Sequence, residues 1–267
     1  MNIYRGCSHG CIYCDSRSDC FRVPNFDTVA AKENALEIIR NELRRKVKTG
    51  VVGVGAMSDV YNPWEAKLKL TRHTLELLNA FGFGASFLTK STLVTRDVDI
   101  LGDIKAHSPV MVSFTITTPR DDLSQIIEPY VASTSQRLEA LSVLAGQGIF
   151  TGVMINPVLP FITDSPEDMV KLLYMAKEAG VKFVYAFMQM TLRPGSREYY
   201  YQKLDQHFPG LRGEYIKRYG NRKYLSSPQS KKLWEVYTKT CNDLGLLYEM
   251  KAITHAYKSG YEPLTLF

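Results

Sequence analysis

Val110-Met111-Val112-Ser113-Phe114-Thr115-Ile116-Thr117 carries no charge and changes character at every second position from Val112 onward. Successive side chains of a strand point to opposite faces, so Val112, Phe114 and Ile116 share one face while Ser113, Thr115 and Thr117 share the other. The apolar face calls for helices to cover it. The polar face suggests a cavity that holds something, although each hydroxyl taken singly has a plainer reading, a hydrogen bond to the next strand.

Working outward, helical patterns flank this strand at 97–106 and 134–145, the second stopped by Gly146. The same alternation extends both ways. Upstream, Asp27 stands as cap for a helix over 28–48 with Ala35, Ile39, Leu43 and Val47 on one stripe, followed by a strand at 51–56. Asn62-Pro63 opens a helix carrying Leu68, Leu75 and Leu78 to Gly82, and 85–88 reads as a strand. Downstream come a strand at 150–155, a helix at 166–178 and a strand at 182–188. Apolar strands between amphipathic helices imply an α/β fold with a parallel sheet, open or closed into a barrel. Beyond Arg193 the sequence turns helix-rich, Tyr-rich and basic, with helices near 198–207 and 229–243 and a strand at 246–250.

A chain of 267 residues with 45% hydrophobic and 22% charged residues is an ordinary globular protein with a real core. Its most apolar run, 149–162, is broken by Asn156, Pro157 and Pro160, so no membrane span is expected. The net charge of +6 suits an anionic partner such as nucleic acid, with basic runs at 44–46 and 212–223. Solvated helix faces are the plainer reading of both runs.

In parallel α/β folds ligands collect at the carboxyl ends of strands. Ser58 and Asp59 follow the strand at 51–56, Thr89 and Lys90 follow 85–88, and Ser113 lies within 110–116. Near the N-terminus stands Arg5-Gly6-Cys7-Ser8-His9-Gly10-Cys11-Ile12-Tyr13-Cys14. Its CxxxCxxC spacing puts three thiols on one short loop with no obvious fourth. A cubic iron-sulfur cluster normally takes one thiolate per iron, so three leave one iron open. Zinc is the competing reading, with Cys20 or His9 as fourth ligand of a nucleic-acid binding module without catalysis. Disulfides fit poorly, because five cysteines is an odd number and a reducing cytoplasm is the expected compartment. Cys241 reads as a buried small hydrophobe. A dinucleotide site at Gly53-Val54-Gly55 lacks its third glycine.

The opening 2–15, the segment Gly55-Ala56-Met57-Ser58-Asp59-Val60-Tyr61-Asn62-Pro63-Trp64-Glu65 and Asn156-Pro157-Val158-Leu159-Pro160-Phe161-Ile162 together resemble the spore photoproduct lyase-like branch of the radical S-adenosylmethionine (SAM) superfamily, over residues 2–190. The resemblance implies a partial (β/α)6 TIM barrel over 1–192, and the change of character past Arg193 marks 193–267 as a helix-rich C-terminal appendage. It implies that Cys7, Cys11 and Cys14 ligate a 4Fe-4S cluster whose open iron SAM chelates. Tyr13 then lies near the adenine, Ser58 and Asp59 near the SAM amino group, Lys90 and Ser113 at the third and fourth strands, and Arg137 near the carboxylate. The implied chemistry is reductive cleavage of SAM to a 5′-deoxyadenosyl radical that abstracts hydrogen from a substrate, with an electron donor such as a flavodoxin or ferredoxin.

Two departures stand out. Where the lyase has a hydrogen-donating cysteine this chain reads Gly55-Ala56-Met57, which leaves Cys20 or Tyr61 as substitutes. Only six residues precede Cys7, short for a first strand, so a longer natural N-terminus is expected. No catalytic residue is assigned from sequence.

Overall fold

The computed structural model describes residues 1–261. Its centre is a five-stranded parallel sheet of β3 (Val51–Val54), β4 (Gly84–Thr89), β5 (Val110–Thr115), β6 (Phe150–Ile155) and β7 (Phe183–Ala186), paired in chain order. A small antiparallel pair, β1 (Tyr4–Arg5) and β2 (Ala30–Ala31), precedes it. Met1 bonds to the edge of the large sheet, donating to the Gly53 carbonyl at 2.6 Å and accepting from the Gly55 amide at 2.8 Å. That is the pattern of a parallel neighbour, placed where the resemblance puts a first strand.

Helices cover the face of β5 expected to be apolar. Val112, Phe114 and Ile116 are fully buried among Leu75 and Leu78 of α3 (Leu70–Ala80), Leu101 and Ile104 of α4 (Val98–Lys105), and Leu141 and Leu144 of α6 (Thr134–Gly146). Removing each such side chain from water stabilises the fold by roughly 1.5–3 kcal/mol. Local chemistry starts the helices cleanly. Ser133 accepts from the Gln136 amide while Gln136 accepts from the Ser133 amide, a capping box for α6. Ser165 caps α7 (Pro166–Glu178), whose first residue is proline.

Several boundaries differ from the sequence expectation. The helix expected over 28–48 is only α1 (Ala35–Arg44), because Ala30 and Ala31 pair with Arg5 and Tyr4. Asp27 caps nothing; its carboxylate pairs with Arg17 at 2.8 Å. The helix expected from Asn62 breaks into α2 (Glu65–Leu68) and α3 at Lys69, which sits at φ 53°. The buried Glu65 carboxylate accepts from the Thr71 amide at 2.9 Å and so supplies the cap of the second helix. At 246–250 the expected strand is a single parallel bridge from Leu247 to Phe183. The helix α5 (Asp121–Ile127) escaped the sequence reading.

After β7 the chain forms β8 (Gln189–Thr191), α8 (Ser196–His207), α9 (Leu211–Tyr219), β9 (Tyr224–Ser226), α10 (Ser230–Leu244) and α11 (Met250–Lys258). Strands β8 and β9 pair antiparallel. Leu233, Tyr237 and Cys241 of α10 belong to the same core as the sheet, and the Tyr237 hydroxyl donates to the Val184 carbonyl at 2.6 Å. Helix α11 touches the other face, where Tyr257 packs on Phe150, which stacks on Phe183. Among the described residues no helix is long and apolar enough to cross a membrane.

Candidate functional site

The cysteine loop runs from β1 to a pair of 3-10 turns, Asp15–Arg17 and Asp19–Phe21. Backbone bonds fix its course: Cys7 N donates to Phe26 O at 2.8 Å, Ile12 N to Ile127 O at 3.0 Å, and Cys14 N to Cys11 O at 3.2 Å. Gly6 at φ 76° is packed so closely that a Cβ would lie 2.1 Å from the Thr28 carbonyl oxygen. Gly10, at φ 67°, lies against the Tyr130 ring, where a Cβ would come within 2.6 Å. Larger residues at these two positions would push the loop off its support.

Cys7, Cys11 and Cys14 line one cavity together with His9, Tyr13, Ser58, Asp59, Thr89, Lys90 and Thr115. Among the described residues no three His, Cys, Asp or Glu side chains converge on a single-ion position. A zinc ion draws its donors to within about 2.0–2.3 Å of one point, whereas a cube spreads thiolates over separate corners. Three thiols on one loop around a shared cavity fit the cluster. Cys20 lies elsewhere, exposed and 3.6 Å from an Arg193 nitrogen.

Asp59 is the best-held anion of the cavity. One oxygen accepts from the Thr89 hydroxyl at 2.7 Å and the Tyr61 amide at 2.9 Å, and the other accepts from the Lys90 amide at 2.7 Å. A carboxylate offers about four acceptor sites, so roughly one is left for a ligand. The buried His9 approaches the same group, Nδ1 to Oδ2 at 3.6 Å. Burial opposes the imidazolium, but the charges of Asp59 and Cys7 outweigh it and raise the His9 pKa. For Cys7 burial acts upward, and the His9 hydrogen bond and charge bring its pKa below the usual thiol value.

Lys90 supplies the opposite charge. Burial by itself would pull its ammonium down, yet Cys11, Glu128 and Asp59 together hold its pKa above the ordinary lysine value. Its Nζ lies 5.8 Å from the centre of the Tyr13 ring. The Tyr13 hydroxyl donates to the buried Glu128, and burial followed by the Glu128 charge lifts that phenol well above its usual range. A cavity with one anion, one cation and surrounding hydroxyls suits a zwitterion.

Not every expected residue reaches it. Ser58 does, with its hydroxyl donating to the Tyr4 carbonyl at 3.2 Å. Ser113 stays one step back along β5, and Thr115, next on the same face, lines the cavity instead. Arg137 is fully buried behind it. Its guanidinium donates to the Thr115 and Ala132 carbonyls at 2.7 Å, to the Ser124 hydroxyl at 3.0 Å and to Glu128. Those partners occupy it, so Arg137 supports Tyr13 through Glu128 rather than meeting a ligand carboxylate. Tyr61 is also turned away, with its hydroxyl donating to Asp97 at 3.1 Å. Thr89 and Thr115, read from sequence only as polar strand positions, and His9, read only as a zinc ligand, line the cavity. Glu128 was missed, because only the fold brings it to Tyr13 and Arg137.

Fold and cavity together describe a SAM-dependent iron-sulfur enzyme, and the chain matches the family model "Radical SAM superfamily" over residues 1–191. It belongs to that superfamily, and it binds a 4Fe-4S cluster and SAM. It is 32% identical over 232 residues to an uncharacterized protein of Mycobacterium tuberculosis, covering 84% of this chain and 68% of that one. An uncharacterized protein of Methanocaldococcus jannaschii is 31% identical over 212 residues, 78% of this chain and 76% of the other. A radical SAM Nalpha-GlyT isomerase of Pseudomonas phage M6 is 22% identical over 95% of this chain and 52% of its own. Among solved structures, a spore photoproduct lyase variant with bound AdoMet and dinucleoside spore photoproduct superposes with a TM-score of 0.69 at 17% identity, covering 93% of this chain and 76% of that one. The fold is thus that of the lyase.

Proposed function

We propose that Cys7, Cys11 and Cys14 hold the cluster, that Asp59 binds the SAM amino group and Lys90 its carboxylate, and that the bound pair acts on a substrate bearing a nucleobase. When bound, the cluster and SAM supply a carbon-centred radical that abstracts hydrogen. The protein's own residues place the reactants and keep water out. Asp59 and Lys90, from the ends of β3 and β4, set the direction of the amino acid end, and Tyr13, braced by Glu128, closes the side beside the loop. The observation that carries the reading is that three thiols, Asp59 and Lys90 share one cavity at the carboxyl ends of the strands. The nucleobase class rests on the dinucleoside photoproduct bound by the structurally similar lyase.

Anaerobic reconstitution should give a brown protein that makes 5′-deoxyadenosine from SAM with dithionite, faster in the presence of thymidine dinucleotides or single-stranded DNA. Deuterated substrate identifies the abstracted hydrogen. Label recovered in SAM marks a lyase-type cycle that regenerates the cofactor, and label left in 5′-deoxyadenosine marks its consumption. An iron-free protein, or SAM left intact, overturns the reading.

A further inference from the structure

Residues 193–223 contain eight Lys or Arg and three Asp or Glu, a net charge of +5 in a chain whose whole charge is +6. The fold sets this segment against the back of the cysteine loop. Arg193 pairs with Asp15 at 2.8 Å, one residue past Cys14, and its guanidinium lies 5.3 Å from the centre of the Phe21 ring. Asp19 N donates to Pro194 O at 3.1 Å, and the hydroxyls of Ser18 and Ser196 are 3.1 Å apart. The stretch 15–21 is therefore a wall between two spaces. Ser16 lines the cysteine cavity, and Asp19 and Cys20 line a second pocket with Arg193, Arg197, Asn221 and Lys223.

Three of the cations in this segment are already engaged. Arg193 is paired with Asp15, Arg212 with Asp205 at 2.8 Å, and Arg197 ties the carbonyls of Leu192, Gly220, Asn221 and Arg222 together at 2.7–3.2 Å. Lys217, Arg218, Arg222 and Lys223 are exposed, and among the described residues none has a carboxylate within 4.0 Å. Beside them Tyr224 is 52% exposed and Ile216 49% exposed, so the patch is cationic with an apolar component. Such a surface steers and seats an acidic protein.

We infer that this patch docks the electron donor, a small acidic redox protein, on the far side of the cysteine loop from the SAM cavity. The inference rests on the cluster assignment above. Substrate must enter the cavity that holds Asp59 and Lys90, whereas an electron needs only to reach the cluster, and the wall at 15–21 is its short way in. One electron leaves the donor's reduced cofactor and enters the cluster, so the donor is oxidised by one and the cluster reduced by one. No bond or proton changes hands. A nucleic-acid backbone would favour a continuous basic stripe, and here Asp19, Glu198 and Glu214 interrupt it.

The test uses the full chain with its reconstituted cluster, chemically reduced flavodoxin as probe donor and dithionite as control. For the native chain, cluster reduction by flavodoxin should slow as salt rises. The triple variant Arg218→Glu, Arg222→Glu, Lys223→Glu should slow it about tenfold or more at low salt. Dithionite reduction and dithionite-driven 5′-deoxyadenosine formation should stay at the native level. Native rates that ignore salt, or a variant as fast as the native chain, overturn the docking site. So does a variant impaired equally with dithionite, or one that loses only its retention of single-stranded DNA. Failure of the native protein with dithionite would instead strike the cluster assignment.

Discussion

Asp59 sits where backbone and hydroxyl donors already fill most of its acceptor sites, so its remaining capacity is directed at the cavity. Asp59→Asn keeps the shape and removes the charge. SAM affinity measured calorimetrically on the reconstituted protein should fall about tenfold or more, in line with the 1.5–3 kcal/mol of a charged hydrogen bond, while iron content stays unchanged. Alanine at Cys7, Cys11 or Cys14 should abolish the cluster absorbance, and Cys20→Ala should leave it intact. Arg137 answers to a different measurement. Arg137→Leu strands Glu128 as a buried unpaired charge and should cost about 3–5 kcal/mol in urea unfolding. Cys241 is fully buried and its thiol is pushed up to about 12, so at pH 8 folded protein should resist alkylation there while Cys20 reacts. Mass mapping before and after unfolding checks it. Cysteines, Asp59 and Lys90 were readable from sequence because each adjoins a local motif. Glu128 was not, and Arg137 was read as a contact of the SAM carboxylate rather than as the partner of Glu128, since their pairing across the end of β5 exists only once α5 and α6 are in place.

At the scale of elements, β5 was legible because a two-residue period with an apolar face leaves few alternatives. Its polar side proved to be graded, with Thr115 at the cavity and Ser113 behind. The break at Lys69 was hidden because the cap of α3 comes from Glu65 of the preceding helix, a contact no window of propensity contains. The shortened α1 has the same cause, a tertiary pairing of Ala30 and Ala31 with β1 overriding local preference. Between α3 and α4, Arg72 pairs with Asp99 at 2.5 Å, and that hydrogen bond holds the Asp99 carboxyl down to about 2. A depressed carboxylate contributes stability above its unfolded value near 3.9 and loses it as pH falls through about 2. Asp99→Asn should therefore lower stability slightly at pH 6 and not at all at pH 1.5. Because the pair is largely exposed, the difference should be small in denaturant midpoints and should shrink with salt.

For the whole molecule, the composition change at Arg193 led to a proposed division between 192 and 193. The buried face of α10 joins the same core as the parallel sheet, so that division separates sequence character rather than packing. Leu233→Ala should cost about 2–5 kcal/mol, and circular dichroism and tryptophan fluorescence should still report one coincident unfolding transition. Two transitions would mark the C-terminal region as a separately folding unit.

Arg197 gives this arrangement a kinetic meaning. By stitching four carbonyls, it holds the turn between α9 and β9 in one shape before any visitor arrives. Little freedom remains to be surrendered at the encounter, so association can be brief as well as selective. A courier that delivers one electron must also leave promptly, and a stiff landing place lets it do both.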